Sequence, residues 1–151
     1  MSSVKRGPLP PAFFLITLLL QWGLHSWAPI AQVVPDGWVM LGTLPMAFGI
    51  GFMVAADRQF KKVATAISPF DEPSTMVVTG PFRVSRNPMY LAMVIVQIGA
   101  AMAWGTVSPF LVPPVLAWIL SRRFIAVEEL AMARTFGDAF DAYRQRVRRW
   151  L

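Results

Sequence analysis

The sequence contains no cysteine and only one histidine among its 151 residues. Without cysteine the chain has no disulfide framework, no thiol nucleophile and no thiolate ligand for a metal. A single histidine also argues against a histidine-rich metal site, so we expect no metal. We interpret this residue, His25 in QWGLHSW, as a packed or interfacial polar side chain rather than a base.

Charged residues are also scarce. They make up 15% of the chain and hydrophobic residues make up 56%, whereas soluble domains average about 25% and roughly 45–50% respectively. Three stretches carry no charge at all, residues 7–35, 37–56 and 87–121. A helix that crosses the hydrocarbon layer needs about 20 apolar residues, so the first two stretches hold one span each and the third holds two.

The sequence therefore predicts an all-α membrane protein with one domain over 1–151. Its four transmembrane helices are expected at about 11–33, 38–56, 88–105 and 109–127. The last two separate at GTVSP, a small-polar and proline-bearing cluster that is typical of a turn. The fourth helix should continue past the membrane surface until Gly137 stops it, and DAFDAYRQRVRRW then forms a short basic helix.

The 14 lysines and arginines occur in three places only. Two precede the first span, five lie between the second and third spans, and seven follow the core of the fourth. The positive-inside rule then places both termini and the middle loop in the cytoplasm, and we expect a multi-pass protein of the bacterial inner membrane. The basic tail RQRVRRW indicates contact with anionic membrane lipids, and no nucleic acid is expected as a partner.

The stretch GPFRVSRNPMY, residues 80–90, places Arg83 and Arg86 directly before an apolar segment. Asn87 followed by Pro88 is typical of a helix start, because asparagine suits the N-cap and proline the first helical position. A helix N-terminus has unpaired N–H groups and a positive dipole end, so arginines beside it favour an anion. The alternative is that these arginines only anchor the helix among lipid headgroups.

Two adjacent carboxylates, Glu128 and Glu129, stand in an otherwise apolar helix near the predicted membrane surface. Helix salt bridges need a partner three or four residues away, and no basic residue stands at those distances. Carboxylates near lipid are costly unless they are paired. We therefore expect their partners to come from elsewhere in the fold or from a ligand, with a solvated helix face as the alternative.

Three motifs in order form a specific pattern: R-x-x-R-N-P-x-Y, then Glu-Glu, then F-G-x-x-[FY]-x-x-Y-x-x-x-V-x-R-W. In this sequence they read STMVVTGPFRVSRNPMY, VEEL and FGDAFDAYRQRVRRW, from about Ser74 to the end. The pattern resembles the isoprenylcysteine carboxyl methyltransferase and phospholipid methyltransferase superfamily of integral membrane enzymes. The resemblance implies S-adenosylmethionine as cofactor, bound by a cytosolic region over 57–87 and 122–151. It also implies a lipophilic acceptor that enters from the bilayer.

The resemblance implies which residues contact the cofactor, namely Thr75, Met76, Val77, Phe82, Asn87, Pro88, Met89, Tyr90 and Glu128. The chemistry of the cofactor adds Arg83 and Arg86 for its carboxylate, and an aromatic ring for its sulfonium. Glu129 is the candidate base for an amine acceptor. Arg123 is the candidate substrate contact, because the position of the superfamily's substrate arginine is Phe124 here. Asn87 replaces the superfamily's usual histidine and cannot titrate.

The leading hypothesis is transfer of a methyl group to a prenylcysteine-like carboxylate or an aminophospholipid. Methylation of a small lipophilic thiol is a further alternative within the same enzyme class. In a different class, the chain is a non-enzymatic four-span transporter or assembly subunit. In that case its arginines are membrane anchors and its glutamates belong to an ion network between helices.

Overall fold

The computed structural model describes residues 9–63 and 75–151, which form helices and turns without a strand. The α-helices are α1 Pro10–Trp27, α2 Thr43–Val63, α3 Pro88–Trp104, α4 Val112–Leu120, α5 Ala126–Phe136 and α6 Asp138–Arg146. Short 3-10 helices precede α2, α3 and α4, at Asp36–Gly42, Gly80–Arg83 and Ser108–Leu111. A π-helical turn, Ser121–Ile125, joins α4 to α5. The prediction of an all-α protein is confirmed.

Two continuous helical segments, Asp36–Lys62 and Ser108–Phe136, are long and apolar enough to cross a membrane. The apolar helix Pro88–Trp104 is shorter. These lengths and compositions agree with a membrane protein. Part of the predicted middle loop, residues 64–74, and the first eight residues lie outside the described part of the chain.

The prediction for the first helix was wrong at its end, since α1 stops at Trp27 and not at 33. The residue before a proline avoids the helical conformation, and Ala28 precedes Pro29. The chain beyond runs along the turn after α3 instead. The backbone N–H groups of Val33 and Val34 donate to the Gly105 carbonyl at 2.8 and 3.0 Å.

The predicted helix breaks are confirmed where glycine makes them. Gly105 ends α3 with φ +76°, a left-handed conformation that glycine adopts without strain, and Gly137 ends α5 with φ +48°. The fourth apolar helix continues through the π-helical turn as expected. The predicted helix over 138–150 was wrong at its end, because α6 stops at Arg146 and residues 147–150 are not helical.

Glycine sets the separation of α2 and α3. A Cβ atom added to Gly99 would lie 2.6 Å from the Gly42 carbonyl oxygen and 2.8 Å from the Met46 nitrogen. Both neighbours are backbone atoms, so the two helices are in direct backbone contact here. Small residues that allow this approach are typical of helix pairs inside membranes.

Buried amides join α1 to α3 and to the turn before α4. The Gln21 side-chain amide, which is fully buried, donates to the carbonyls of Gln97 and Pro109 at 3.1 and 3.0 Å. His25 lies nearby on α1, with Nδ1 3.0 Å from the Thr106 hydroxyl and its ring stacked on Trp104. His25 is therefore a packed polar residue, as the sequence predicts.

Candidate functional site

The 80–90 segment begins with a tight turn that buries Phe82. Gly80 has φ +60° and opens the Gly80–Arg83 turn, which directs Phe82 into a small apolar core with Val77 and Ala56. Met89 packs against the same core from the start of α3. Three of the predicted cofactor residues, Val77, Phe82 and Met89, are thus brought together.

Asn87 and Pro88 start α3 as the sequence predicts, but the asparagine side chain does not cap the helix. Its Nδ2 donates to the Arg149 carbonyl at 3.0 Å, and its backbone N–H donates to the Ser85 hydroxyl at 3.1 Å. The sequence predicts that the Asn87 side chain caps α3, but in the structure its amide bonds to a distant part of the chain instead.

That distant part is residues 147–150, which we call the C-terminal strap. Its carbonyls accept from the 80–90 segment, with Arg86 N–H donating to Arg148 O at 3.0 Å and the Ser85 hydroxyl donating to Arg149 O at 3.1 Å. Trp150 is the last residue of the strap, and its indole N–H donates to the Ser121 hydroxyl at 3.3 Å in the π-helical turn. The strap thus closes this end of the helix bundle.

Glu129 holds the strap and the 80–90 segment together. Its Oε1 accepts from Arg86 Nη2 at 2.8 Å and from Arg149 Nε at 3.2 Å, and its Oε2 accepts from Arg149 Nη2. This ion pairing raises the pKa of Arg149. The side chains of Arg86 and Glu129 are only 13% and 18% exposed. The expected partners of Glu129 do come from elsewhere in the fold.

Arg86 is largely satisfied by the protein. Besides Glu129, its Nη1 donates to the carbonyls of Arg144 and Val147 at 3.1 and 3.2 Å. Its Nε is buried and meets no acceptor within residues 9–63 and 75–151. A guanidinium with these protein contacts is less suited than Arg83 to hold the carboxylate of a ligand.

Glu128 has a different partner. The Tyr90 hydroxyl donates to Glu128 Oε1, which joins the first turn of α3 to the first turn of α5. Tyr90 also packs in the core with Phe124 and Leu116. The first and second sequence motifs therefore meet at the same end of the bundle.

An open cleft of about 440 Å³ lies beside this end. Its lining residues come from the chain before α3 and from the C-terminal region, namely Val78, Thr79, Arg83, Tyr143, Arg146 and Val147. Arg83 is exposed, and its guanidinium makes no ion pair with the described residues. Among the predicted site residues it is the one that lines this cleft.

The remaining predicted residues lie apart from the cleft lining. Arg123 is exposed and its guanidinium lies over the Phe13 ring, 5.5 Å from the ring centroid. Thr75 is exposed and Met76 is half-buried, just before the buried Val77. The structure therefore brings most of the predicted residues to one end of the bundle, in neighbouring groups.

Tyr143 is a residue that sequence reasoning missed. It lies on α6, is buried, and donates its hydroxyl to the Phe82 carbonyl at 2.6 Å. Tyr143 is the tyrosine of the third motif, so the sequence identifies the residue, but the motif does not indicate which group its hydroxyl contacts. Burial raises the pKa of Tyr143 to about 12, although the nearby positive charge of Arg86 acts in the opposite direction.

We expect the stability contributed by Tyr143 to disappear in strong alkali. The pKa is about 12 in the folded protein and about 10 in an unfolded chain, so the contribution is complete below pH 10 and is lost as pH rises through 12. Tyr143→Phe should cost about 1 kcal/mol at pH 8, through loss of the hydrogen bond. Melting curves at several pH values should show the wild-type advantage shrinking between pH 10 and 12. A difference that stays constant across that range would contradict the expectation.

The comparison with known families decides the identity of the chain. Residues 38–139 match the family model of phospholipid methyltransferases, which is more than half of the sequence. The chain belongs to the phospholipid methyltransferase family. No curated protein and no solved structure matches it. The family match contains the arginine–asparagine–proline motif and the glutamate pair, and it ends before Tyr143 and the strap.

Membership in the phospholipid methyltransferase family indicates an enzyme that transfers methyl groups to lipid-type substrates. It agrees with the superfamily resemblance of the three motifs. The residues that contact cofactor and substrate remain predictions, because the family match identifies no individual site residue.

Proposed function

We propose that the chain is an integral membrane methyltransferase that uses S-adenosylmethionine and methylates a lipophilic acceptor. The observation that carries this proposal is the meeting of the family's motifs at one end of the bundle. Tyr90 with Glu128, and Arg86 with Glu129, join segments that are about 40 residues apart in the chain. The 80–90 segment and the glutamate pair thus form one structural unit, as a shared site requires.

The proposal includes four membrane spans with both termini in the cytoplasm. In support, large apolar side chains are exposed along α1 and α2, among them Leu15, Ile16, Leu19, Leu44, Phe48 and Ile50. Exposed apolar side chains in this number are typical of a surface that contacts a membrane or another protein, and the charge-free stretches in these helices favour the membrane. The site end of the bundle is then the cytoplasmic end, next to the arginines.

The donor set at this end fits the cofactor. S-adenosylmethionine supplies an activated methyl group on a positive sulfur, together with a carboxylate, an ammonium and ribose hydroxyls. Arg83 has no acidic partner among the described residues and suits the carboxylate. Glu128 does not line the cleft, but its carboxylate at the same end of the bundle suits the ammonium or the hydroxyls. The cleft volume lies within the roughly 300–1,000 Å³ of small-molecule pockets.

The residues of this end would bind, orient and exclude water. Tyr90 fixes the orientation of the Glu128 carboxylate through its hydroxyl. The strap and Trp150 cover the beginning of α3, and a covered site strengthens electrostatic contacts with a bound ligand. Methyl transfer needs close and in-line approach more than covalent help from the protein.

The acceptor is proposed as a prenylcysteine-like carboxylate or an aminophospholipid. Arg123 is exposed and suits a carboxylate acceptor. An amine acceptor needs a base, and Glu129 can fill that role only if it releases one of its arginine partners. A small lipophilic thiol is the third possibility. It reacts as the thiolate and so also has to lose a proton.

Titration of the purified, folded protein with S-adenosylhomocysteine tests the enzyme proposal. Saturable binding is expected, and membrane extracts incubated with methyl-labelled cofactor should yield a lipophilic product that gains one methyl group. Absence of binding by protein with a cooperative melting transition would favour the non-enzymatic membrane protein instead.

We expect Glu128→Ala to weaken S-adenosylhomocysteine binding by about tenfold or more, because a charged ligand partner is lost. The substitution also leaves the Tyr90 hydroxyl without its acceptor. Tyr90→Phe is the comparison variant. It removes the same internal hydrogen bond but keeps the carboxylate, so it should weaken binding less than Glu128→Ala does. Calorimetry on both variants separates the roles. Equal affinities of the two variants, with equal losses in melting temperature, would make Glu128 a structural residue only.

A further inference from the structure

The cleft beside the site has a second cation that no sequence motif assigned to a ligand. Arg83, in the turn before α3, and Arg146, the last residue of α6, both line the cleft. Two separate elements thus direct arginines to the lining of one cleft. Like charges at close range repel each other, so this arrangement favours an anion between them.

The partners of Arg146 leave most of its guanidinium available. Its Nε donates to the Ala142 carbonyl of its own helix at 3.2 Å. No carboxylate within residues 9–63 and 75–151 pairs with it, whereas its neighbour Arg144 pairs with Asp141 at 3.0 Å. The terminal nitrogens of Arg146 are therefore suited to a bidentate contact with a carboxylate.

The other lining groups narrow the class of ligand. Val78 and Val147 are apolar, and the Tyr143 hydroxyl already donates to the Phe82 carbonyl. The charged donors of the cleft are thus its two arginines. A carboxylate carried by a partly apolar ligand matches this lining better than a small, fully hydrated anion does.

We propose that Arg146, together with Arg83, binds the amino-acid carboxylate of the nucleoside cofactor. This inference rests on the proposed function, and it adds a binding residue from beyond the stretch that matches the family. Arg86 is already bonded to other protein groups, and it is then a positioning residue that holds Val147 of the strap in the cleft lining.

The test compares two ligands, of which only one carries the amino-acid group with its carboxylate and ammonium. S-adenosylhomocysteine carries the amino-acid group, and 5′-methylthioadenosine has the same nucleoside thioether without it. In calorimetry, Arg146→Gln should weaken S-adenosylhomocysteine binding by about tenfold or more, since bonds to charged groups are among the stronger ones. Binding of 5′-methylthioadenosine should stay within about twofold of the wild type. Arg146→Lys should be intermediate, because lysine keeps the charge but loses the planar fork.

Arg144→Gln is the matched control, since Arg144 lies on the same helix and pairs with Asp141 at the surface. It should bind both ligands like the wild type. Unchanged S-adenosylhomocysteine affinity in Arg146→Gln would overturn the inference while the enzyme proposal stands. Equal weakening of both ligands would also overturn it, by showing a general effect on the fold. If the wild type binds neither ligand, the enzyme proposal itself fails and the inference fails with it.

Discussion

Gly99→Leu should be strongly destabilising, because it separates α2 from α3. The first added carbon atom would lie 2.6 Å from the Gly42 carbonyl oxygen and 2.8 Å from the Met46 nitrogen. Neither backbone atom can rotate away, so the helices themselves must move apart. Overpacking that side chains can absorb costs about 1–3 kcal/mol. With three further carbons beyond the first, we expect a loss of about 3 kcal/mol or more, measured as a lower melting temperature of the detergent-purified protein.

Gly51→Leu provides the control for this prediction. Gly51 lies on α2, and a Cβ atom there would meet nothing within 4 Å. The same change of residue type should therefore leave the melting temperature nearly unchanged, or raise it slightly through better helix propensity. If the two variants melt together, the close α2–α3 contact does not limit stability.

The sequence predicts the elements whose cause is local. Gly105 and Gly137 end helices because the left-handed backbone is open to glycine, and Pro88 begins α3 because its ring suits the first helical position. The charge-free stretches likewise predict apolar helices through composition alone. A local cause also explains the error at the end of α1, because Pro29 stands two residues after Trp27 and opposes a longer helix.

The long-range contacts of the site could not be predicted in the same way. The motifs identified Glu128 and Glu129 as unpaired within their own helix, but not which residues would reach them. Arg149 does so because the chain leaves the helical path after Arg146, and the Val147 N–H makes the last bond to α6, to the Tyr143 carbonyl. Periodicity describes a helix face and carries no information about where a non-helical terminus folds back.

Glu129→Ala should release the strap, because the positive charges of Arg86 and Arg149 would then repel each other without the carboxylate between them. Arg86 is 13% exposed, and its partner would be lost while its charge stays in place. Removing one member of a buried ion pair costs about 3–5 kcal/mol, and because the pair is partly exposed we expect a loss of about 3 kcal/mol. Melting curves measure this loss, and faster removal of the C-terminal residues by a carboxypeptidase would report release of the strap.

Arg149→Gln separates the two halves of this network. Its side chain is 43% exposed, and ion pairs with that exposure contribute about 0.2–1 kcal/mol. Its loss should therefore be several times smaller than that of Glu129→Ala, even though both substitutions break the same contact. Measuring both melting temperature and methyl transfer separates a structural role of Glu129 from a catalytic one, because a base is needed for turnover and not for folding. If Glu129→Ala melts like the wild type but abolishes methyl transfer, Glu129 is the base and its arginine partners serve to hold it ready.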